Sequence, residues 1–288
     1  MRRSVGALLG LVVVVAALAT VWIYLNGEGA PATLIVHEVE GEVSLTRTMG
    51  DDTEVPVGLE LNDGDRLATA EGGRVVLALG EETRMRLGPT SSIQITAVDE
   101  TGVRLELEEG KLSATVRPGS GAVRIGNKGR EVVADDAVFD VGVYGDAFQA
   151  QSTLGSLIVV GTDVTQVEEG EQVTAVGRRA QVGPVPDELL LQVDWPTRDR
   201  EAVKAYALRG TSEPGSRIRV TGEGIAPVES QANEKGVFVA MIPLVEGRQS
   251  RVVIEAIDAL GRSTRSEPIA MPARDSTGPR VHGVVEQR

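Results

Sequence analysis

Thr83-Arg84-Met85-Arg86-Leu87, Ile93-Gln94-Ile95-Thr96 and Val103-Arg104-Leu105-Glu106-Leu107 alternate strictly between apolar and polar side chains. Successive side chains point to opposite faces only in an extended strand, so a period of two reads as one buried and one wet face. Met85 and Leu87 are expected in a core, with Arg84, Arg86, Arg104 and Glu106 turned outward. Outward from these strands lie turn residues: Asp63-Gly64-Asp65, Gly72-Gly73, Gly88-Pro89, Gly110, Pro118-Gly119, Gly126-Asn127, Gly155 and Gly170. Strand starts recur every ten or so residues, as in all-β proteins. No amphipathic helix is expected between Thr33 and Gly183, and the spacing is too irregular for a strict repeat.

Gly183-Pro184-Val185-Pro186-Asp187 interrupts this pattern and reads as a boundary. A second strand set follows: Leu189–Trp195, Ala205–Leu208, Arg217–Val220, Ile225–Glu229, Val237–Ile242, Arg251–Ile257 and Thr264–Ile269. Asn233-Glu234-Lys235-Gly236 reads as a hairpin turn. Seven short strands in so little chain suit an immunoglobulin-like sandwich.

The first residues bear on compartment. After Met1-Arg2-Arg3-Ser4, Val5–Leu25 carries no charge. As a helix it would span about 31 Å at ~1.5 Å per residue, the thickness of a bilayer core. Trp22 and Tyr24 stand at its far end, where amphipathic rings favour the headgroup level, and Arg2 and Arg3 hold the N-terminus in the cytoplasm. The alternative is a signal peptide cleaved after Ala17-Leu18-Ala19. Both readings export everything after Asn26. On the first, four residues remain in the cytoplasm, too few to fold.

Composition excludes several chemistries. The 288 residues contain no cysteine and two histidines, His37 and His282. Thiol catalysis, disulfide scaffolds and Cys-ligated metal sites are therefore absent, and a His-based site would rest on one ring. A net charge of −13 and 3% aromatics argue against nucleic acid as a partner. His37, in a first strand, reads as structural or solvent-exposed, and His282 lies in a polar tail where a site lacks rigid support. The doublets Asp51-Asp52, Glu81-Glu82, Glu108-Glu109, Asp135-Asp136 and Glu168-Glu169 point to opposite strand faces, so none is a glycosidase pair by itself. Asn62-Asp63-Gly64-Asp65 has calcium-loop residue types without the full loop spacing, and reads as a tight turn. No phosphate-loop or nucleophile-elbow motif occurs. No catalytic residue, cofactor or metal site is expected.

Charge is unevenly spread. Residues 83–130 carry eight basic and five acidic groups, between acidic segments at 27–82 and 131–183. Arg84, Arg86 and Arg104 would share one wet face if their strands are neighbours. Guanidinium forks suit carboxylates and phosphates, so this is the candidate face for an anionic protein or envelope polymer.

Two stretches resemble known families. Gly41-Glu42-Val43 with Leu61-Asn62-Asp63-Gly64-Asp65-Arg66-Leu67 and Thr69 is similar to the "G-x-V … L-x-x-G-D-x-L/I-x-T" opening of the FecR domain. Val75–Leu79, Val103–Leu112, Leu154–Val159 and Val167–Glu171 follow in the family's order. The resemblance spans Thr33 to about Val182. It implies an extracytoplasmic all-β module, a twisted solenoid-like stack that relays transporter occupancy to a sigma factor. The family's central "G-T-x-F-x-V" is replaced by Asp136-Ala137-Val138-Phe139-Asp140-Val141. Some family members cleave themselves at Gly-Thr, where the hydroxyl attacks the preceding carbonyl. Ala137 supplies none, so a single intact chain is expected on a denaturing gel; two fragments meeting at Asp136-Ala137 would contradict this. Leu208–Val220, Gly236-Val237-Phe238 and Glu255–Gly261 resemble a bacterial Ig-like module.

The organisation expected is therefore an anchor at 1–26, a linker at 27–32, a FecR-like domain at 33–183, a Pro-rich linker at 184–187, an Ig-like sandwich at 188–273 and a tail at 274–288. The function expected is non-enzymatic binding of an envelope protein or polymer from the bacterial inner membrane, as scaffold or sensor. The alternative is FecR-type signalling with a sigma-factor or anti-sigma partner.

Overall fold

The computed structural model describes residues 33–47, 53–177, 179–198 and 200–275. The apolar run with Trp22 and Tyr24, and His282, lie outside them. Among the described residues no helix is long and apolar enough to cross a membrane.

The first seventeen strands form one body. In chain order they are β1 (Leu34–Glu40), β2 (Val43–Thr46), β3 (Thr53–Glu54), β4 (Glu60–Leu61), β5 (Arg66–Thr69) and β6 (Arg74–Leu79). Next come β7 (Thr83–Leu87), β8 (Ser91–Asp99), β9 (Gly102–Val116), β10 (Ala122–Asn127), β11 (Arg130–Ala134) and β12 (Ala137–Tyr144). The last are β13 (Ala147–Leu154), β14 (Leu157–Val160), β15 (Gln166–Val167), β16 (Glu171–Val176) and β17 (Arg179–Pro184).

These strands lie in two layers. The first runs β4-β1-β6-β7-β9-β12-β13-β16-β17 and is antiparallel throughout. The second runs β3-β2-β5-β8-β9-β10-β11-β14-β15 and is antiparallel except between β9 and β10. β9 belongs to both. Its first half, to Glu109, pairs with β8, and its second half, from Leu112, pairs with β7. The change of layer falls at Gly110, in the left-handed region at φ 91°. A Cβ there would lie 2.5 Å from the Ser91 Cβ, so only glycine lets the strand bend so close to its neighbour.

The solenoid-like stack expected from the family resemblance is not what forms. Solenoid coils stack equivalent strands in one direction, whereas here glycine turns fold neighbouring strands back into antiparallel pairs, and β9 joins two facing layers. Leu34, Leu77, Met85, Leu112, Phe139 and Phe148 from one layer meet Leu45, Leu67, Ile93, Leu105, Ile125 and Leu157 from the other in one core. Met85 and Leu87 are buried, as the alternation predicts.

Arg130 is also buried, under the end of this core. Its Nη1 donates to the Asp146 and Ala175 carbonyls at 3.0 and 3.1 Å, and its Nη2 to Asn127 Oδ1 at 3.1 Å. Those acceptors, with the Phe148 ring 5.6 Å below, keep the charge tolerable while burial lowers its pKa.

The remaining strands are β18 (Leu191–Asp194), β19 (Arg200–Glu201), β20 (Ala205–Ser212), β21 (Arg217–Gly222) and β22 (Ile225–Gln231), then β23 (Val237–Pro243), β24 (Ser250–Ile257), β25 (Ser263–Arg265), β26 (Ile269–Met271) and β27 (Ala273–Arg274). The β18-β20-β23 sheet faces a β22-β21-β24-β25 sheet, whose β24 also pairs with β26. Leu208, Ile218, Val220, Phe238, Ile242 and Ile254 form a second, separate core.

Candidate functional site

The outer face of the first layer holds the candidate site. On β7 the side chains opposite the buried Met85 and Leu87 are Arg84 and Arg86. In register beside them on β9 lie Thr115 and Ser113, and next on β12 Val138 and Asp140. Together with Thr153 they line a shallow cleft of about 170 Å³. Ser113 hydrogen-bonds Asp140, and Lys111 Nζ stands 3.3 Å from the same carboxylate. Arg84 Nη1 donates to the Thr83 carbonyl at 2.9 Å, and neither Arg84 nor Arg86 has an ion-pair partner among the described residues.

Arg104 is not part of this face. β7 pairs with the second half of β9, and Arg104 sits in the first half, in the other layer. It is held in register with Arg124 on parallel β10, and its Nε lies 2.8 Å from Glu131. Period-two reasoning places all three arginines outward correctly; a single face requires β9 to stay in one layer, which its bend at Gly110 prevents.

The other end of the same outer face is covered by the second body, a contact that no sequence pattern announces. Gly142 on β12 meets the backbone of Ala259 and Leu260 in the β24–β25 turn. Gln149 Nε2 donates to Gln172 Oε1 at 3.2 Å, and that oxygen also accepts from Arg262 Nη2 at 2.6 Å. Arg262 is held by Asp258, whose Oδ2 accepts its Nε–H at 2.7 Å and whose Oδ1 accepts its backbone N–H at 2.8 Å. Gln231 Nε2 donates to the Tyr144 carbonyl at 3.0 Å. The contact is polar, the usual character of interfaces between units of one chain. The one available hint was Gly142 itself, a glycine inside an alternating strand, which signals close backbone approach.

Between the bodies lies a second cleft, of about 320 Å³, bordered by Glu109, Lys111, Tyr144, Arg217 and Leu260. Arg217 stacks on Tyr144, with its guanidinium carbon 4.9 Å from the ring centre. Burial pushes the Tyr144 phenol up, while the adjacent Arg217 charge pulls it back.

The remaining sequence candidates have structural placements. His37 is exposed on β1. The Asn62–Asp65 turn uses its carboxylates internally: Asp65 Oδ2 accepts the Asn62 N–H at 3.0 Å, and Asp63 Oδ1 the Val98 N–H at 2.8 Å. Among the described residues no cluster of three or more His, Asp or Glu could hold a metal ion.

Residues 65–178 match the family model described as FecR protein. The chain contains a FecR domain. Solved structures similar to the chain include two crystal structures of a candidate anti-sigma factor from Parabacteroides distasonis, 16% and 15% identical, with TM-scores of 0.37 and 0.36. Each similarity covers 41% of this chain and 59% of the other, so the chain spans about three fifths of those neighbours. No curated protein matches it.

The FecR signature residues make the fold. Thr69 is buried; its hydroxyl donates to the Gly88 carbonyl at 2.6 Å and accepts the Ser91 N–H at 2.9 Å. Ser91 Oγ in turn accepts the Lys111 N–H at 3.0 Å, beside the bend of β9. Replacing Thr69 by valine leaves these buried groups short of a partner and is expected to cost about 1–2 kcal/mol in chemical denaturation, with the spectrum of the folded protein unchanged. Ala137, where the family motif has threonine, is buried and paired with Val116.

Proposed function

We propose that this protein is the extracytoplasmic, sensing part of a FecR-type regulator, held in the bacterial inner membrane by Val5–Leu25 and signalling to a sigma-factor or anti-sigma partner. The observation that carries the reading is the FecR match over residues 65–178. The second body, proposed as Ig-like, sits on the outer face of the FecR domain through a polar contact, an arrangement suited to reporting occupancy. The regulatory reading needs no catalytic group in either body. Deleting the protein is expected to shift one sigma-factor regulon, with the chain restored in trans reversing it. An unaltered transcriptome alongside an envelope-assembly defect would favour a scaffold instead. Retention on membranes after carbonate washing, with a reporter after Arg288 active only outside the cytoplasm, is the expected topology.

A scaffold or docking role is the second reading, favoured by Arg84 and Arg86, which have no ion-pair partner among the described residues. We place the anionic-partner face on Arg84 and Arg86, with Arg104 outside it. Exposed charges of this kind contribute at most about 1 kcal/mol to folding. The double change of Arg84 and Arg86 to serine is therefore expected to leave the melting curve nearly in place. Binding to an acidic partner or polymer should weaken about tenfold and lose salt dependence. Unchanged binding with an unchanged salt slope would remove this face from the function.

A further inference from the structure

We propose that the cleft between the two bodies binds a carboxylate carrying a short apolar tail, with Arg217 as its counter-charge. Arg217 projects from β21 between the bodies, and its Nε–H is buried with no acceptor. Among the described residues no carboxylate forms an ion pair with it. Arg217 is half-buried, and the part of a guanidinium withdrawn from water recovers its hydration energy only through an anion or further acceptors. The Tyr144 ring, 4.9 Å from the guanidinium carbon, supplies a cation–π contact and leaves the net charge in place. Lys111 is already committed to Asp140, so Arg217, hydrogen-bonded to the Tyr144 phenol, is the cation of the cleft without an ion-pair partner among the described residues.

The rest of the cleft describes the ligand. Pro89, Ile257 and Leu260 supply apolar wall beside Arg217. The volume of about 320 Å³ corresponds to about ten water-sized atoms, at ~30 Å³ each, the lower end of small-ligand sites. Thr90, at the mouth, holds φ 49°, a left-handed conformation that is uncommon away from glycine and concentrates at binding sites. Glu109, exposed at the rim, repels an incoming anion and so sets the affinity low. Both bodies contribute walls, so a bound carboxylate would hold them together. Its role as the sensed signal rests on the proposed regulatory function; the binding does not.

Two sources present this chemistry, a free aliphatic acid and the carboxyl terminus of a peptide. The test is calorimetry on the full chain in bilayer discs, with empty discs subtracted, using octanoate and N-acetyl-leucine as probes and their amides as controls. At least one acid should bind saturably below about 10 mM, and its amide at least about tenfold more weakly. Octanoate alone binding identifies a free acid as the ligand, and N-acetyl-leucine alone a peptide terminus. Arg217→Gln should weaken the bound acid about tenfold, and Arg217→Lys somewhat less because the planar fork is lost. Should Arg217→Gln not fold, Glu109→Lys on the exposed rim decides: it should tighten the acid several-fold and steepen the salt dependence. Binding by neither acid, equal binding of acid and amide, or an affinity unmoved by Glu109→Lys would each overturn the site. A regulon unaffected by deletion would overturn the signalling role while leaving this binding result standing.

Discussion

Replacing Gly142 by valine is expected to undock the second body while both cores stay folded. Gly142 lies mid-strand in β12, with Val141 and Val143 turned into the core on the opposite face. A Cβ at Gly142 would lie 2.5 Å from the Ala259 carbonyl carbon and 3.0 Å from the Leu260 nitrogen, and closer still to the Ala259 oxygen. These are backbone atoms of a tight turn, which cannot rotate aside as a side chain can. Overpacking of this kind costs about 3 kcal/mol, enough to reduce a docked population more than about a hundredfold. The rest of the contact is a few polar bonds that water can replace, so separation is the cheaper response. Small-angle scattering should report a larger, more extended particle. Proteolysis between Pro184 and Leu190, where Leu190 is already exposed, should accelerate by about the same factor. A scattering curve superimposable on that of the parent would show that the turn yields instead.

The second large effect is expected at Arg262. Asp258 is buried, with its side chain 3% exposed, and the Arg262 guanidinium satisfies its Oδ2. Arg262→Ala retains the backbone N–H that caps Oδ1, but leaves a buried carboxylate without its cation. Removing one partner of such a pair costs about 3 kcal/mol, mainly the penalty of the stranded charge. The same change deletes the 2.6 Å bond to Gln172 across the contact. Arg262→Ala should therefore lower the unfolding midpoint of the second body as well as loosen the docking, whereas Gly142→Val affects docking alone. Gln172→Leu leaves the Asp258–Arg262 pair intact, removes the cross-body bond together with the bond from Gln149, and should cost about 1–2 kcal/mol. A cycle of the two changes should show coupling of similar size. Full stability of Arg262→Ala would mean that Asp258 is adequately held by the turn backbone.

Most of the strand content was legible because alternation is a local property. Thr83–Leu87 shows Met85 and Leu87 on one side and Arg84 and Arg86 on the other whatever the strand's neighbours, and that is their arrangement in the fold. The Asp63-Gly64-Asp65 turn was equally local: its carboxylates bind N–H groups at the turn and on β8, and the glycine provides the φ of 90° that it needs. The family match starts at Asp65, and β1 and β2 before it join the same two layers.

The candidate site was less legible. Arg104 carries the same period-two signature as Arg84 and Arg86, and lies in the other layer because β9 changes partners half-way along. Along β9 the apolar positions are Val103, Leu105 and Leu107 before Glu108-Glu109-Gly110-Lys111 and Leu112, Ala114 and Val116 after it, a change of phase at the bend, but pairing partners are not encoded in that period. The docking residues had still less signal. Gln149 and Gln172 occupy positions that face solvent in any isolated sheet, and become buried only because another body covers them.

The sequence by itself determined that this is an all-β protein without cysteine chemistry, that it resembles the FecR family, and which side of the alternating strands, such as Thr83–Leu87 and Val103–Leu107, faces a core. Those properties follow from side-chain alternation, turn residues and composition, all of which act over a few neighbouring positions. Only the tertiary structure decided that β9 links two layers, that Arg84 and Arg86 stand together without Arg104, and that Gly142, Gln172 and Arg262 meet across two bodies. Those facts depend on contacts between residues as many as 90 positions apart, as for Arg262 and Gln172, and no local periodicity carries such a distance.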